Sequence, residues 1–157
     1  MSHGERDKIE YKIDFIFSKC DEPNFEDDEL KAELAKYLCV LSSGFIEACC
    51  RDIVKRYVSG KAHPKIVDYV VWTVDRFRNP KANRVLDLIG GFDKDGMDAL
   101  RDNLDESVKD GVDSIVDNRN RIAHGRDVNV TIHRFREYHG RVCTFIKELE
   151  RHFPSGA

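Results

Sequence analysis

Residues 104–125 read LDESVKDGVDSIVDNRNRIAHG, and their apolar positions recur at the interval of a helix. At about 100° per residue, Leu104, Val112, Ile115, Ile122 and Ala123 all fall within roughly 60° of Val108. The stretch is therefore predicted to be a long helix from about Leu104 to Ala123, with Gly125 as its left-handed terminator. One residue breaks the pattern. Arg119 falls at about 20° from Val108, in the middle of the apolar stripe, where a purely structural helix would carry Leu or Ile. Removing a guanidinium from water costs several kcal/mol unless it meets an anion or stays wet. Arg119 is thus expected to face an acidic partner, an interface cleft or a phosphate ligand.

Working outward from that helix, the same period dominates the chain. Ile9, Ile13, Ile16 and Phe17 fit a first helix, although Ile9, Tyr11, Ile13, Phe15 and Phe17 also alternate as a strand would. Acids at Glu26, Asp27 and Asp28 open a second helix whose stripe, from Leu30 through Leu34, Leu41, Phe45, Cys49 and Ile53 to Tyr57, ends near Gly60. Pro64 suits the first turn of a third helix with Ile66, Val67, Val70, Val71, Val74 and Phe77 on its face. Tyr69 and Trp72 could stack on nucleic-acid bases, but are read as core residues of this valine-rich segment. After Asn79-Pro80 comes a short helix with Val85, Leu88, Ile89 and Phe92, and then a polar connection from Asp93 to Asp98. Thr131 can cap a final helix with Phe135, Tyr138, Val142, Phe145, Ile146, Leu149 and Phe153 as its stripe. The expected fold is all-α: an antiparallel bundle of two or three long helices with short helices around it, forming one domain with its core between about residues 7 and 153.

Composition bounds the function. With 157 residues, 41% of them hydrophobic and 35% charged, the chain can bury a core and keep a well-solvated surface. It lacks an apolar run long enough for a membrane span, and its start lacks the pattern of a secretory leader, so a cytoplasmic location is expected. Cys20, Cys39, Cys49, Cys50 and Cys143 make an odd count at apolar helical positions, which favours reduced, buried thiols. A net charge of −3 argues against attraction of nucleic acid by the whole surface. The distribution is uneven, however. Residues 84–117 carry ten acids against four bases, net −6, whereas residues 118–152 carry eight bases against four acids, net +4. A local basic cleft on an acidic body would suit a phosphodiester; otherwise these are solvated faces pairing with each other.

Arg119 and His124 are the pair able to do chemistry. Histidine moves protons near neutral pH, and arginine offers a fixed fork of donors that matches phosphate oxygens. Together they suffice, without metal or other cofactor, for attack of a ribose 2′-OH on the adjacent phosphate. Geometry resists this within one chain, since residues five apart on a regular helix point about 140° away from each other. Either the last turn unwinds, or two chains set their helices side by side across a two-fold axis. Against both stands an ordinary helix end, with His124 near the negative pole and Arg119 snorkelling.

Arg119-Asn120 followed by His124, at the end of the penultimate long helix of an all-helical chain, resembles the Arg-x4-His motif of the HEPN superfamily, and in particular the RiboL-PSP-HEPN subgroup. The resemblance covers the chain from about Asp7 to Phe153. It implies a metal-independent endoribonuclease with Arg119, His124 and Asn120 as catalytic residues, Asn120 orienting His124 or the phosphate. It further implies a homodimer with two motifs lining one cleft, RNA as substrate, and a role as toxin or defence effector, restrained by an antitoxin or other inhibitory partner. Arg121 and Arg126 are candidate RNA contacts or plain surface charges. The alternative is a catalytically silent helical module for dimerisation or partner binding, with Arg119 holding a structural acid.

Other constellations are weaker. Asp93-Lys94-Asp95-Gly96 has its glycine too early for a calcium loop, and Leu104 stands where the glutamate should be. His139 and Cys143 are two would-be metal ligands without companions. Ser42-Ser43-Gly44 has neither a nucleophile elbow nor a matched base, and is read as an aid to close helix packing.

Overall fold

The computed structural model describes residues 4–155, which form seven helices; no strand occurs among the described residues. Helix α1 (Glu5–Cys20) buries Ile13, Ile16 and Cys20. Tyr11 and Phe15, the alternates a strand would have needed, lie on the solvent side at 72% and 51% exposure. The helical period wins because it alone gathers the buried residues onto one face.

The spine of the fold is α2 (Asp28–Val58), 31 residues long. Asp27 starts it, its carboxylate accepting the Leu30 N–H at 3.0 Å. Its two long neighbours are α6 (Glu106–Ala123) and α7 (Ile132–His152), and the three helices pack on one another. Thr131 caps α7 through the Arg134 N–H at 3.0 Å. Phe135, Phe145, Leu149, Ile115 and Leu38 are fully buried in the core these helices share. Where α6 meets α7, Gly111 allows a very close approach: a Cβ built there would stand 2.6 Å from the Cβ of Arg141.

The shorter helices α3 (Pro64–Val74), α4 (Ala82–Gly90) and α5 (Lys94–Asn103) flank this core. Two expectations need correction. The stretch read as a polar connection holds the first half of α5. Asp93 caps it by accepting the Gly96 N–H at 3.0 Å, and two apolar residues, Met97 and Leu100, suffice to dock it. Tyr69 and Trp72 are not core residues. α3 packs chiefly on α2, which covers Val74 and partly covers Val67, Val70 and Val71. Ile66, Tyr69 and Trp72 are left 56%, 66% and 53% exposed.

The five thiols are free; four are buried, and Cys143 is half-buried. Burial raises their pKa values, that of Cys39 to about 11, so they behave as apolar filling. No described helix is long and apolar enough to cross a membrane.

Candidate active site

Helix α6 keeps its geometry to the last turn. The His124 N–H donates to the carbonyls of Asn120 at 3.1 Å and Arg121 at 3.2 Å. The Gly125 N–H then donates to Ile122 O at 3.0 Å, and the Arg126 N–H to Arg121 O at 2.9 Å. This paired closure is a Schellman motif, which needs a left-handed residue; Gly125 supplies it at φ 70°. Unwinding, one of the two routes for bringing Arg119 and His124 together, is therefore not taken. The two residues keep the separation of about 140° that a regular helix dictates.

The stripe of α6 leaves the core before the helix ends. Val112, Ile115 and Val116 are buried and Ile122 is half-buried, whereas Arg119, Ala123 and His124 are exposed. Arg119 therefore retains water, which removes the desolvation problem that its place in the stripe posed. Among the described residues no carboxylate stands within ion-pair distance of it; its guanidinium donates to Asn120 Oδ1 at 3.4 Å. Arg121 and Arg126 are likewise exposed and in no ion pair among the described residues.

Asn120 is half-buried and serves as a clamp. Its amide nitrogen donates to Asn79 Oδ1 at 2.9 Å, while its amide oxygen accepts from Arg119. Asn79, just ahead of Pro80, is held at φ 59°, the left-handed region that asparagine tolerates better than most residues. Asn120 thus ties the end of α6 to the turn between α3 and α4, and steadies Arg119 rather than His124.

That turn brings in residues the sequence reading missed. Glu47 of α2, with its side chain only 14% exposed, lies 3.8 Å from Arg78 Nε and 3.9 Å from Arg51 Nη1. Burial raises the Glu47 carboxyl above its ordinary value. Arg78, Arg51 and Arg119 pull it back down, and Glu5 adds to the rise. Glu47 is therefore the negative pole in the field of three guanidinium groups, one of them Arg119. A signal for it existed, since Glu47 is the one charged residue between Lys36 and Arg51.

The charge asymmetry has a structural basis. In the acidic segment, Asp113 accepts the Ala82 N–H at the start of α4 at 2.9 Å, and Asp117 pairs with Lys81 at 2.9 Å. In the basic segment, Arg136 pairs with Asp21, Arg134 with Glu137 and Arg151 with Glu148. The cations at the end of α6 remain outside these pairs.

His139 is set apart from this site. Its Nδ1 lies 2.9 Å from Ser42 Oγ and its Nε2 3.6 Å from Cys143 Sγ, and its ring stacks on Phe135. Burial lowers its pKa to about 4, against a small opposing effect of Asp14, so it is a neutral part of the core.

An all-helical chain whose penultimate helix ends on an exposed Arg119, a half-buried Asn120 and an exposed His124 has the makings of a HEPN domain. The chain belongs to the RiboL-PSP-HEPN family, whose model matches residues 5–155. No curated protein and no solved structure matches it. HEPN domains are generally associated with ribonuclease activity, and they often bind RNA and dimerise.

Proposed function

We propose that the protein is a metal-independent endoribonuclease acting as a homodimer, with Arg119 and His124 of both subunits in one cleft. The observation that carries this reading is the state of Arg119: solvent-reached, steadied by Asn120, and in no ion pair among the described residues. An arginine that stays wet, with its neighbouring acid Glu47 shared with Arg51 and Arg78, is available to a phosphate. The intact last turn supports a dimer, because it keeps the Arg119 and His124 of one chain from aiming at the same phosphate. The exposed Ala123 and half-buried Ile122 beside them provide the apolar margin such a contact needs.

In this reaction the 2′-oxygen of the substrate attacks the adjacent phosphorus while its proton passes to a base. Arg119 stabilises the charge on the non-bridging oxygens. The bond from phosphorus to the 5′-oxygen breaks, and that oxygen takes up a proton. The products are a 2′,3′-cyclic phosphate and a 5′-hydroxyl, with His124 moving the proton. Asn120 positions Arg119, and Arg121 and Arg126 hold flanking phosphates. The biological setting we assign is that of a toxin or defence effector, in the cytoplasm and held in check by an antitoxin or inhibitory partner.

The test is incubation with single-stranded RNA in chelator. Wild type should release fragments with cyclic-phosphate ends, and His124→Ala should lower the rate at least a hundredfold with the helical circular dichroism unchanged. RNA left intact by wild type would show instead a silent binding module, and RNA cut equally well by His124→Ala would refute the assignment of His124.

A further inference from the structure

Helix α3 places two aromatic side chains on the surface where a buried pair was expected. Tyr69 and Trp72 are 66% and 53% exposed, and their rings lie nearly parallel, with 25° between planes and centroids 6.1 Å apart. The guanidinium of Arg76 lies 3.9 Å from the indole centroid. At 6.1 Å the rings overlap less than in a full stack, and even with Arg76 against the indole both side chains stay more than half exposed. An aromatic pair kept on the surface offers apolar area that an occupant would gain by burying.

The charge around the pair says which occupant fits. From Lys61 to Arg84 the chain carries six bases against two acids, net +4, within a protein of net charge −3. Asp75 is paired with Lys55 at 3.0 Å, Lys81 with Asp117 at 2.9 Å and Arg78 with Glu47 at 3.8 Å, which leaves Lys61, Lys65, Arg76 and Arg84 against Asp68. The region is also continuous with the candidate site. Arg78, which reaches the Glu47 neighbouring Arg119, lies six residues after Trp72, at most about 20 Å along the chain. Aromatic faces amid cations, next to a phosphate-accepting site, match a single strand, whose bases are free to stack while its backbone meets the bases of the protein. A protein partner would have to bring an acidic rim of its own, whereas a single strand carries a phosphate at every nucleotide.

We infer that Tyr69 and Trp72 form a base-stacking platform, with Arg76 and its basic surroundings gripping the backbone, that seats single-stranded RNA leading into the Arg119–His124 site. This inference rests on the ribonuclease reading of that site, and its test is built to separate the two. Trp72 is the sole tryptophan of the chain, so its emission reports on the platform directly. The probe is a single-stranded, uniformly 2′-O-methylated oligonucleotide of roughly ten nucleotides, long enough for such a groove and unable to undergo 2′-OH attack.

Binding of the 157-residue chain should quench Trp72 emission in step with the rise in oligonucleotide anisotropy. Tyr69→Ala and Trp72→Ala should each raise Kd about tenfold, Trp72→Phe should rescue most of that loss, and a duplex should compete poorly. Since both residues are exposed, the variants should keep the wild-type helical spectrum. Unchanged emission at saturation, or alanine variants that bind like wild type, would overturn the platform even where wild type cleaves unmodified RNA. Quenching with the expected loss in the variants, but no cleavage of unmodified RNA, would uphold the platform and refute the nuclease. A Trp72→Ala protein that becomes monomeric with RNA affinity intact would assign the face to a second copy of the chain and overturn the proposal.

Discussion

His139 shows at the scale of one residue how burial writes a pH dependence into the fold. Its folded pKa of about 4 lies below the ordinary value of 6.5, so the unfolded chain takes up the proton first as pH falls. The stability it contributes is complete above pH 6.5 and is lost as pH drops from there to 4. The loss amounts to something on the order of 3 kcal/mol. Thermal denaturation across this range should show Tm falling with pH, and His139→Leu should flatten the slope. The same variant should be less stable at neutral pH, because the buried Ser42 hydroxyl loses its partner. A wild-type slope unchanged in His139→Leu would contradict the assignment. Arg119 presents the opposite case. Its position in the apolar stripe was plain from spacing, but its hydration could not be, because exposure depends on where the neighbouring helices stop.

At the scale of elements, the contact of α6 with α7 hangs on Gly111. Alanine there would place a methyl group 2.6 Å from Cβ and Cδ of Arg141. The Cβ is fixed to the α7 backbone, so the helices themselves would have to part. Alanine is the better helix former by about 1 kcal/mol, yet overpacking of this kind costs about 1–3 kcal/mol, and Gly111→Ala should lower Tm by a few degrees. A Tm that rises would show that the interface yields. Such close approaches are invisible in a sequence, whereas the long helices were legible because Leu38, Phe45, Phe135 and Phe145 recur at the helical period over many turns. Helix α5 was missed because only Met97 and Leu100 carry its burial, among charged and polar residues that otherwise read as loop. Tyr69 and Trp72 were misplaced for a related reason. Both faces of α3 are apolar, and only the three-dimensional arrangement decides which one α2 covers.

For the whole molecule, the legible part of the site is the part that is local. Arg119, Asn120 and His124 lie on one helix within two turns, so spacing brings them together without knowledge of the fold. Glu47 and the Asn79 turn reach the same place only through the packing of α2, α6 and the connection from α3 to α4. In the function proposed above, a second protomer completes the site, because an unbroken α6 turns its arginine and its histidine apart. The most direct test of this claim is to mix Arg119→Ala and His124→Ala proteins, each inactive alone, after dissociation and reassociation. A cleft built from two chains predicts that cleavage returns, to about a quarter of the wild-type rate, since half of the dimers are mixed and each has one intact pairing. A mixture as inactive as its components, under conditions in which wild type cleaves and subunits exchange, would contradict the account.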